Sequence, residues 1–196
     1  MKGKAGKPPV SNLERTVLSD DWAVLSKYDF DIKCSDGATE HLNREIYHRG
    51  DSVAVLPYDP ERKTVLLIRQ FRLAAYLVDG SEALIEACAG AIENESPEAS
   101  ARREALEELG YKLMALEPVM EAFSSPGSMT ERFFGFLANY SPADRKDAGG
   151  GRKDEGEDIE VLEMPLDEAV SLVRAGDIRD AKTIALLQAL RLSQLS

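Results

Sequence analysis

Cysteine and histidine are scarce in this chain of 196 residues, which has two of each. Cys34 and Cys88 stand far apart, and neither belongs to a pair with the spacing of a zinc site. Cys88 lies in an apolar segment, so both cysteines are interpreted as small buried residues rather than as a disulfide or a thiolate nucleophile. His41 and His48 are interpreted as surface or structural residues. The chemistry of the protein is therefore expected to use other side chains.

Long apolar segments are also absent. No run approaches the roughly 18 apolar residues of a candidate membrane-spanning helix. The first residues are basic, and the apolar segment of a secretory signal does not follow them. Residues 1–15 are therefore predicted to be a flexible tail, and the protein is expected to be cytoplasmic.

Basic residues are in the minority, since 24 Lys and Arg face 35 Asp and Glu, which gives a net charge of −11. Such a chain repels nucleic-acid backbones and anionic membrane surfaces unless cations mediate the contact. Metal ions and small molecules are the expected partners. The length and the 43% hydrophobic content fit one domain with a proper core.

Periodicity and turn residues predict a mixed sheet with helices on its faces, which is the α/β class. Strands are predicted at 22–32, 40–48, 52–58, 63–71, 83–90, 116–125, 130–140 and 159–164, the first four as two hairpins. Helices are predicted at 96–110, 166–176 and 180–194. Ser96 and Pro97 mark the start of the first helix, and Gly110 marks its end. Residues 141–157, rich in glycine and charge, are predicted to form a mobile loop of the kind that closes over a site.

Three glutamates crowd the second half of the predicted helix 96–110. Glu104 and Glu108, four residues apart, lie on one face, and Glu107 lies on the same flank. Repulsion among these carboxylates becomes a binding site when a divalent cation is present, and Mg²⁺ binds through few carboxylates together with substrate phosphates. Arg103, four residues before Glu107, is expected to pair with it. The alternative is a solvated acidic face.

The spacing of these residues resembles the Nudix box, G-x5-E-x7-REUxEExGU, where U is aliphatic or bulky. Glu95 and the segment Arg103–Tyr111 match it. In one departure, Ala89 occupies the strict glycine position and the glycine follows as Gly90. Over about residues 16–193 the chain resembles the nucleoside-diphosphate-sugar branch of the Nudix hydrolases, in LLIRQFR, SPGSMTER and EDIEVLEMP. Within that branch it is similar to the GDP-mannose pyrophosphatases in LSDDW, NREIYHRG, IEACAG, AGGG and IRDAKT.

The resemblance implies an α/β/α sandwich with a mixed sheet, whose N-terminal strands are exchanged between the subunits of a homodimer. One Nudix domain would cover residues 16–196, with dimerisation strands at 16–49 and a catalytic core at 50–196. The implied activity is Mg²⁺-dependent hydrolysis of GDP-mannose to GMP and mannose 1-phosphate. The alternatives are an ADP-ribose pyrophosphatase, giving AMP and ribose 5-phosphate, and an inactive module that binds a sugar nucleotide.

By the same resemblance, the metal ligands would be the main-chain carbonyl of Ala89 and the carboxylates of Glu104, Glu108 and Glu157. They would hold two or three Mg²⁺ ions, for which Mn²⁺ substitutes. The general base would be Glu155, Glu157 or Glu107, and the sequence leaves this choice open.

The resemblance also implies a set of substrate-binding residues: Trp22, Asn43, Arg44, Glu45, Arg72, Ala89, Gly90, Ala91, Glu108, Glu131, Gly156, Glu157 and Lys182. Arg103 and Gly110 would be structural residues of the box. Trp22 would stack on a nucleobase, or else lie in the core or an interface. Arg72 would reach phosphate, or else form a surface salt bridge. For Lys182, the alternative is a surface lysine.

Overall fold

The computed structural model describes residues 9–194, apart from the side chain of Glu155. The strands are β1 Val10–Asp20, β2 Val24–Lys33, β3 Thr39–His48, β4 Ser52–Asp59, β5 Thr64–Gln70, β6 Leu84–Glu86, β7 Cys88–Ala91, β8 Glu117–Phe123, β9 Arg132–Asn139 and β10 Glu160–Pro165. The α-helices are α1 Leu73–Asp79, α2 Pro97–Glu104, α3 Leu166–Ala175 and α4 Ala181–Ser193. A π-helical turn, Ala105–Leu109, follows α2, and short 3-10 turns occur at Pro142–Asp144 and Lys153–Glu155.

The chain divides into two compact units. The first contains residues up to Gly50 together with Phe123–Glu131, and the second contains Asp51–Ala122 and the residues from Arg132 onward. The first unit therefore ends within one residue of the predicted limit at 49, but it also takes in the turn between β8 and β9. No helix in residues 9–194 is long and apolar enough to cross a membrane.

The first unit is built on an antiparallel sheet in the order β1-β2-β3. β2 and β3 form the predicted hairpin, paired from Val24 opposite His48 to Lys33 opposite Thr39. The predicted tail at 1–15 is wrong for residues 10–15, because they belong to β1, while residues 1–8 lie outside the described part of the chain. Almost every residue of β1 is exposed, so main-chain pairing with β2 holds this strand and leaves no apolar pattern in the sequence.

The second unit contains a mixed sheet in the order β10-β5-β4-β9-β8, with β6 beside β5 and β7 beside β4. β4 and β9 run parallel, whereas β5 is antiparallel to β4, β6 and β10. The predicted mixed sheet is confirmed. The sequence missed α1, a helix of seven residues with no buried side chain, because it lacks both an apolar stripe and a side-chain cap.

Side chains alternate along β4, so that its two faces pack on different helices. Val53 and Val55 belong to a core cluster with Ala101, Ala105 and Leu109 of the α2 segment. On the other face, a second cluster joins residues of β4 and β5 to residues of α3 and α4: Ala54, Leu56, Val65, Leu67, Leu166, Ala169, Leu186 and Leu187. The sheet therefore has helices on both faces, as predicted, and α2 is fixed against its centre.

Candidate active site

The segment that carries the glutamates is held at both ends by local signals in the sequence. The Ser96 side chain accepts a hydrogen bond from the Ala99 N–H at 3.2 Å, and Pro97 fills the first helical position. Gly110, at φ +77°, ends the segment. The prediction of one regular helix is wrong in a single respect, because Ala105–Leu109 is π-helical. Wide turns of this kind are frequent at functional sites.

Glu104 and Glu108 are both buried, with exposed fractions of 8% and 2%. The Ala89 N–H donates to Glu108 Oε2 at 3.0 Å, and the Cys88 thiol lowers the pKa of this carboxyl group. The two carboxyl groups thus meet the strand β7 at the start of the box. The alternative of a solvated acidic face does not hold for these two residues.

Gly90 is the position where strand and helix approach most closely. A Cβ atom built there would lie 1.8 Å from Oε1 and 2.1 Å from the carboxyl carbon of Glu104. Only glycine leaves room for this carboxylate. The glycine of the box is therefore required at position 90, one residue after the strict position, which Ala89 occupies.

Burial raises the pKa of Glu104 to about 7 and that of Glu108 to about 8. The negative charge of Glu157 adds to the effect of burial at both groups, whereas Arg103 lowers the pKa of Glu104. Glu157 therefore lies close enough to act on the pair. Burial therefore favours the protonated forms of these carboxyls, and a bound cation would favour the charged forms.

The donor set of this site fits Mg²⁺. Within residues 9–194, no three His, Cys, Asp or Glu side chains form a preassembled metal cluster. Mg²⁺ takes one or two carboxylates and fills the rest of its shell with water and substrate phosphate oxygens, so two carboxylates are enough to hold it. Glu104 and Glu108 supply two buried carboxylates whose charges lack full compensation in the protein.

Arg103 ties the acidic residues of the box together. Its Nε lies 2.9 Å from Glu95 Oε1, and its Nη1 lies 2.9 Å from both Glu104 Oε1 and Glu107 Oε2. The predicted pair of Arg103 with Glu107 is confirmed. Ser100 also donates to Glu95, so the position of Arg103 is fixed from the start of the helix.

The glycine run of the loop docks on the end of the same helix. The Gly150 N–H donates to Glu108 O at 2.9 Å, and the Gly151 N–H donates to Glu107 O at 3.0 Å. Gly149 has φ +69°, and a Cβ atom on it would lie 2.4 Å from Glu108 O. The sequence predicted a mobile loop here, and the structure shows that these glycines are needed for positive φ angles and close approach to the helix.

The docked glycines lead into the acidic part of the loop. Glu157 Oε2 accepts a hydrogen bond from the Arg152 N–H at 2.7 Å. Gly156, at φ +75°, ends the short turn Lys153–Glu155. The side chain of Glu155, the other predicted base, lies outside the described part of the chain.

Arg72 and Lys182 are each paired with a carboxylate of low exposure. Arg72 Nε lies 2.7 Å from Glu86 Oε2, and Lys182 Nζ lies 2.7 Å from Asp180 Oδ1. Lys182 is therefore not a stray surface lysine, and Arg72 does form a salt bridge, but with a buried carboxylate. Glu86 and Asp180 were not among the residues predicted from the sequence. A glutamate inside the apolar segment LIEACA was a signal, because charged residues are rarely buried without a partner.

The remaining predicted residues lie in the first unit. Trp22 is 76% exposed in a bend before β2, so it is not a core residue, and the Arg49 guanidinium carbon lies 5.0 Å from its ring centroid. The Glu131 carboxylate is buried and lies 3.8 Å from the Arg49 guanidinium. Three exposed residues follow one another on β3: Asn43, Arg44 and Glu45. Ala91, by contrast, is an exposed residue at the end of β7 in the second unit.

Both histidines, which were predicted to be surface or structural residues, have hydrogen-bond partners within the protein. His41 Nδ1 lies 2.8 Å from Asp31 Oδ1, and His48 Nε2 lies 3.0 Å from the Tyr28 hydroxyl. Both cysteines are free thiols, and Cys88 is buried as expected. Cys88 lowers the pKa of Glu108, so this thiol lies beside the site, which its apolar surroundings in the sequence did not indicate.

Comparison with known proteins agrees with this geometry. The NUDIX domain model matches residues 48–187, and the GDP-mannose pyrophosphatase NudK N-terminal domain model matches residues 9–47. The chain therefore belongs to the Nudix hydrolase family, whose members generally use divalent metal ions such as Mg²⁺.

Similar proteins come from several bacteria. The chain is 46% identical to a GDP-mannose pyrophosphatase of Pectobacterium atrosepticum, over 92% of this chain and 93% of that protein. It is also 46% identical to the Cronobacter sakazakii enzyme of that name, over 93% and 95% of the two chains. A crystal structure of an ADP compounds hydrolase matches with a TM-score of 0.71 and 20% identity, over 96% of this chain and 95% of that one, which shows the same fold.

Proposed function

We propose that this protein is a Mg²⁺-dependent pyrophosphohydrolase that cleaves the diphosphate of GDP-mannose. Water adds to one phosphorus and the bridging P–O bond breaks, so that GMP and mannose 1-phosphate leave. The observation that carries the proposal is the buried pair Glu104 and Glu108 packed on Gly90, in a chain similar over its length to GDP-mannose pyrophosphatases.

Residues of the box and of the loop would bind the metal ions together. Glu104, Glu108, Glu157 and the Ala89 carbonyl would hold two or three Mg²⁺ ions, with Mn²⁺ as a substitute. Bound metal supplies charge neutralisation of the diphosphate and a water of lowered pKa. Arg103 keeps the carboxylates of Glu104 and its neighbours in place. The proton of the attacking water passes to a carboxylate on the helix or on the loop, at Glu107, Glu155 or Glu157.

Substrate binding needs cations for the diphosphate and flat or polar groups for the base and sugar. Arg72 and Lys182 would bind the diphosphate. The base would stack on Trp22, whose ring is exposed. The other residues proposed to bind substrate lie on β3, at the box and on the loops: Asn43, Arg44, Glu45, Ala89, Gly90, Ala91, Glu108, Glu131, Gly156 and Glu157.

A panel of nucleoside-diphosphate sugars tests the proposed substrate. We expect kcat/KM for GDP-mannose to exceed that for ADP-ribose, UDP-glucose and GDP-glucose when each is assayed with Mg²⁺ and its products are separated. A higher value for ADP-ribose would replace the proposed substrate and keep the reaction. Binding of GDP-mannose in calorimetry without any turnover would identify an inactive binding module.

Metal affinity is expected to depend on pH. Because the pKa values of Glu104 and Glu108 lie near 7 and 8 in the metal-free protein, both groups must lose protons when Mg²⁺ binds. The dissociation constant for Mg²⁺ should therefore fall by more than about tenfold from pH 6 to pH 7, because two protons are released. Calorimetry in buffers of different ionisation enthalpy measures this release. An affinity that is constant over this range would contradict the metal assignment.

The same carboxyl groups should destabilise the metal-free protein as the pH rises. Their folded pKa values lie above the ordinary value of 4.5, so the folded state binds more protons than the unfolded state between about pH 4.5 and pH 8. The free energy of unfolding contributed by these groups consequently falls as the pH rises through this window. Thermal denaturation with and without Mg²⁺ should show that the metal stabilises more at pH 8 than at pH 5.5.

Glu157→Gln is expected to lower kcat far more than it raises KM, because its contact with the metal shell would be made chiefly in the closed, reacting complex. Glu155→Gln serves as the matched variant on the same loop. A large loss in Glu155→Gln alone would make Glu155 the base. Wild-type turnover in both variants would make the loop a linker and leave the base on the helix, at Glu107.

We propose in addition that the protein is a homodimer in which N-terminal strands are exchanged. Two surfaces support it, since β1 exposes Leu13, Val17 and Leu18, and α1 buries none of its apolar residues. Contiguous apolar surfaces that are exposed in one subunit are typical of protein–protein interfaces.

Leu77 of α1 offers a clean test, because the residue is 74% exposed and its replacement removes little packing within the protein. Leu77→Asp should weaken the dimer at least about tenfold, since a two-fold axis introduces the change twice. Light scattering at micromolar concentration measures the state, and Met114→Asp, at another exposed apolar residue, is the control. A wild-type monomer at this concentration would contradict the dimer.

A further inference from the structure

Glu86 is a buried carboxylate that the proposed reaction does not use directly. It ends β6 opposite Ile68 of β5, and its exposed fraction is 5%. A charge in such a place is costly unless it is paired and hydrogen-bonded. Arg72 supplies both, with its Nε 2.7 Å from Glu86 Oε2.

Arg72 has hydrogen-bond donors that its ion pair with Glu86 does not use. Its Nε is used on Glu86, and its Nη1 and Nη2 groups make no hydrogen bond within residues 9–194. A guanidinium held at Nε keeps four N–H donors on its fork for a phosphate. The ion pair therefore leaves Arg72 ready for an anion, with its orientation already fixed.

The segment of Glu86 is also tied to the start of α4. The Ala87 N–H, next in the chain, donates to Thr183 Oγ1 at 2.7 Å, and this fully buried hydroxyl donates to Asp180 Oδ2 at 2.7 Å. Asp180 caps α4 through the Thr183 N–H and pairs with Lys182 through its other oxygen. Two cations that would bind diphosphate are thus connected by one chain of bonds through the protein.

We propose that Glu86 is a positioning residue, which orients the Arg72 guanidinium for the substrate diphosphate and keeps it in a fixed relation to Lys182. This inference rests on the proposed function. Glu86 would act through Arg72 without touching the substrate. The arrangement gives fixed geometry to a side chain that is otherwise long and flexible.

The variant Glu86→Gln shows whether Glu86 orients the Arg72 guanidinium or only offsets its charge. If Glu86 only offsets the charge of Arg72, its neutralisation should tighten the binding of an anion. If Glu86 orients Arg72, binding should weaken despite the gain in positive charge, and we expect about a tenfold rise in the dissociation constant of inorganic pyrophosphate and a similar fall in kcat/KM for GDP-mannose. Pyrophosphate binding is measured by calorimetry and does not depend on turnover.

A double-mutant cycle with Arg72→Ala shows whether Glu86 works through Arg72. In the Arg72→Ala background, Glu86→Gln should change neither quantity further, because the side chain that it positions is gone. Additive losses in the cycle, or tighter pyrophosphate binding in Glu86→Gln, would overturn the proposal.

Asp59→Asn is the matched control. Asp59 is 4% exposed and 2.6 Å from Arg62, and it lies opposite Thr64 at the other end of β5. The Asp59→Asn variant should be less stable than the wild type but should bind pyrophosphate with the same affinity. An equal loss of affinity in this variant would overturn the proposal, because it would show that breaking any buried ion pair weakens binding. If the wild-type protein binds pyrophosphate but does not cleave GDP-mannose, the proposed function fails while the cycle in binding still tests Glu86.

Discussion

Glu108→Gln will lower kcat for GDP-mannose by at least about a thousandfold and leave the fold intact. The amide oxygen can still accept the hydrogen bond of the Ala89 N–H, so the packing around this 2%-exposed side chain is preserved. What is lost is the negative charge that would hold the metal. Because the pKa of Glu108 is raised to about 8 by burial, the neutral amide should also make the metal-free protein no less stable.

Two measurements separate loss of metal from loss of fold. The melting temperature without metal should stay at or above that of the wild type, and the rise in melting temperature on adding Mg²⁺ should shrink. Glu98→Gln, the same chemical change at an exposed site in the first turn of α2, should keep wild-type turnover. Near-native turnover by Glu108→Gln would refute the metal assignment.

Gly90→Ala should cost about a hundredfold in kcat or more. The new Cβ would meet the Glu104 carboxylate at 1.8 Å, so one of the two must move. The end of a flexible side chain moves at little cost, which preserves the fold, but the displaced carboxylate is the one that would bind metal. The expected result is therefore a folded protein with weak Mg²⁺ binding, checked by circular dichroism, calorimetry and turnover.

Gly127→Ala is the control for this change, because no heavy atom lies within 4 Å of a Cβ atom built there and its backbone is not in the left-handed region. It should behave as the wild type. If Gly90→Ala kept full activity, Glu104 would not need its observed position, and its assignment as a metal ligand would be wrong.

The parts of the fold that the sequence predicted are those with local causes. The start of α2 follows from the Ser96 cap and Pro97, and its end follows from the left-handed Gly110. The pairing of Arg103 with Glu107 follows from their spacing along the helix. β4 was visible as a short run of apolar residues, because both of its faces pack on core clusters.

The parts that the sequence missed depend on distant partners. β1 is a strand because β2 offers it main-chain hydrogen bonds, and its own side chains remain exposed. The role proposed for Glu86 depends on Arg72 and on the start of α4, which lies almost a hundred residues later in the chain. The docking role of Gly149–Gly151 needs the helix carbonyls in place, so composition alone predicted only a mobile loop.

The products formed from GDP-mannose test the central claim most directly. Purified protein, GDP-mannose and Mg²⁺ are incubated, and the products are separated by ion-exchange chromatography, with a parallel sample in EDTA. The proposed reaction predicts GMP and mannose 1-phosphate in equal amounts, with none in EDTA. GDP and free mannose would mean that the glycosidic bond is cleaved, and either those products or an absence of Mg²⁺-dependent turnover would contradict a pyrophosphohydrolase acting on this substrate.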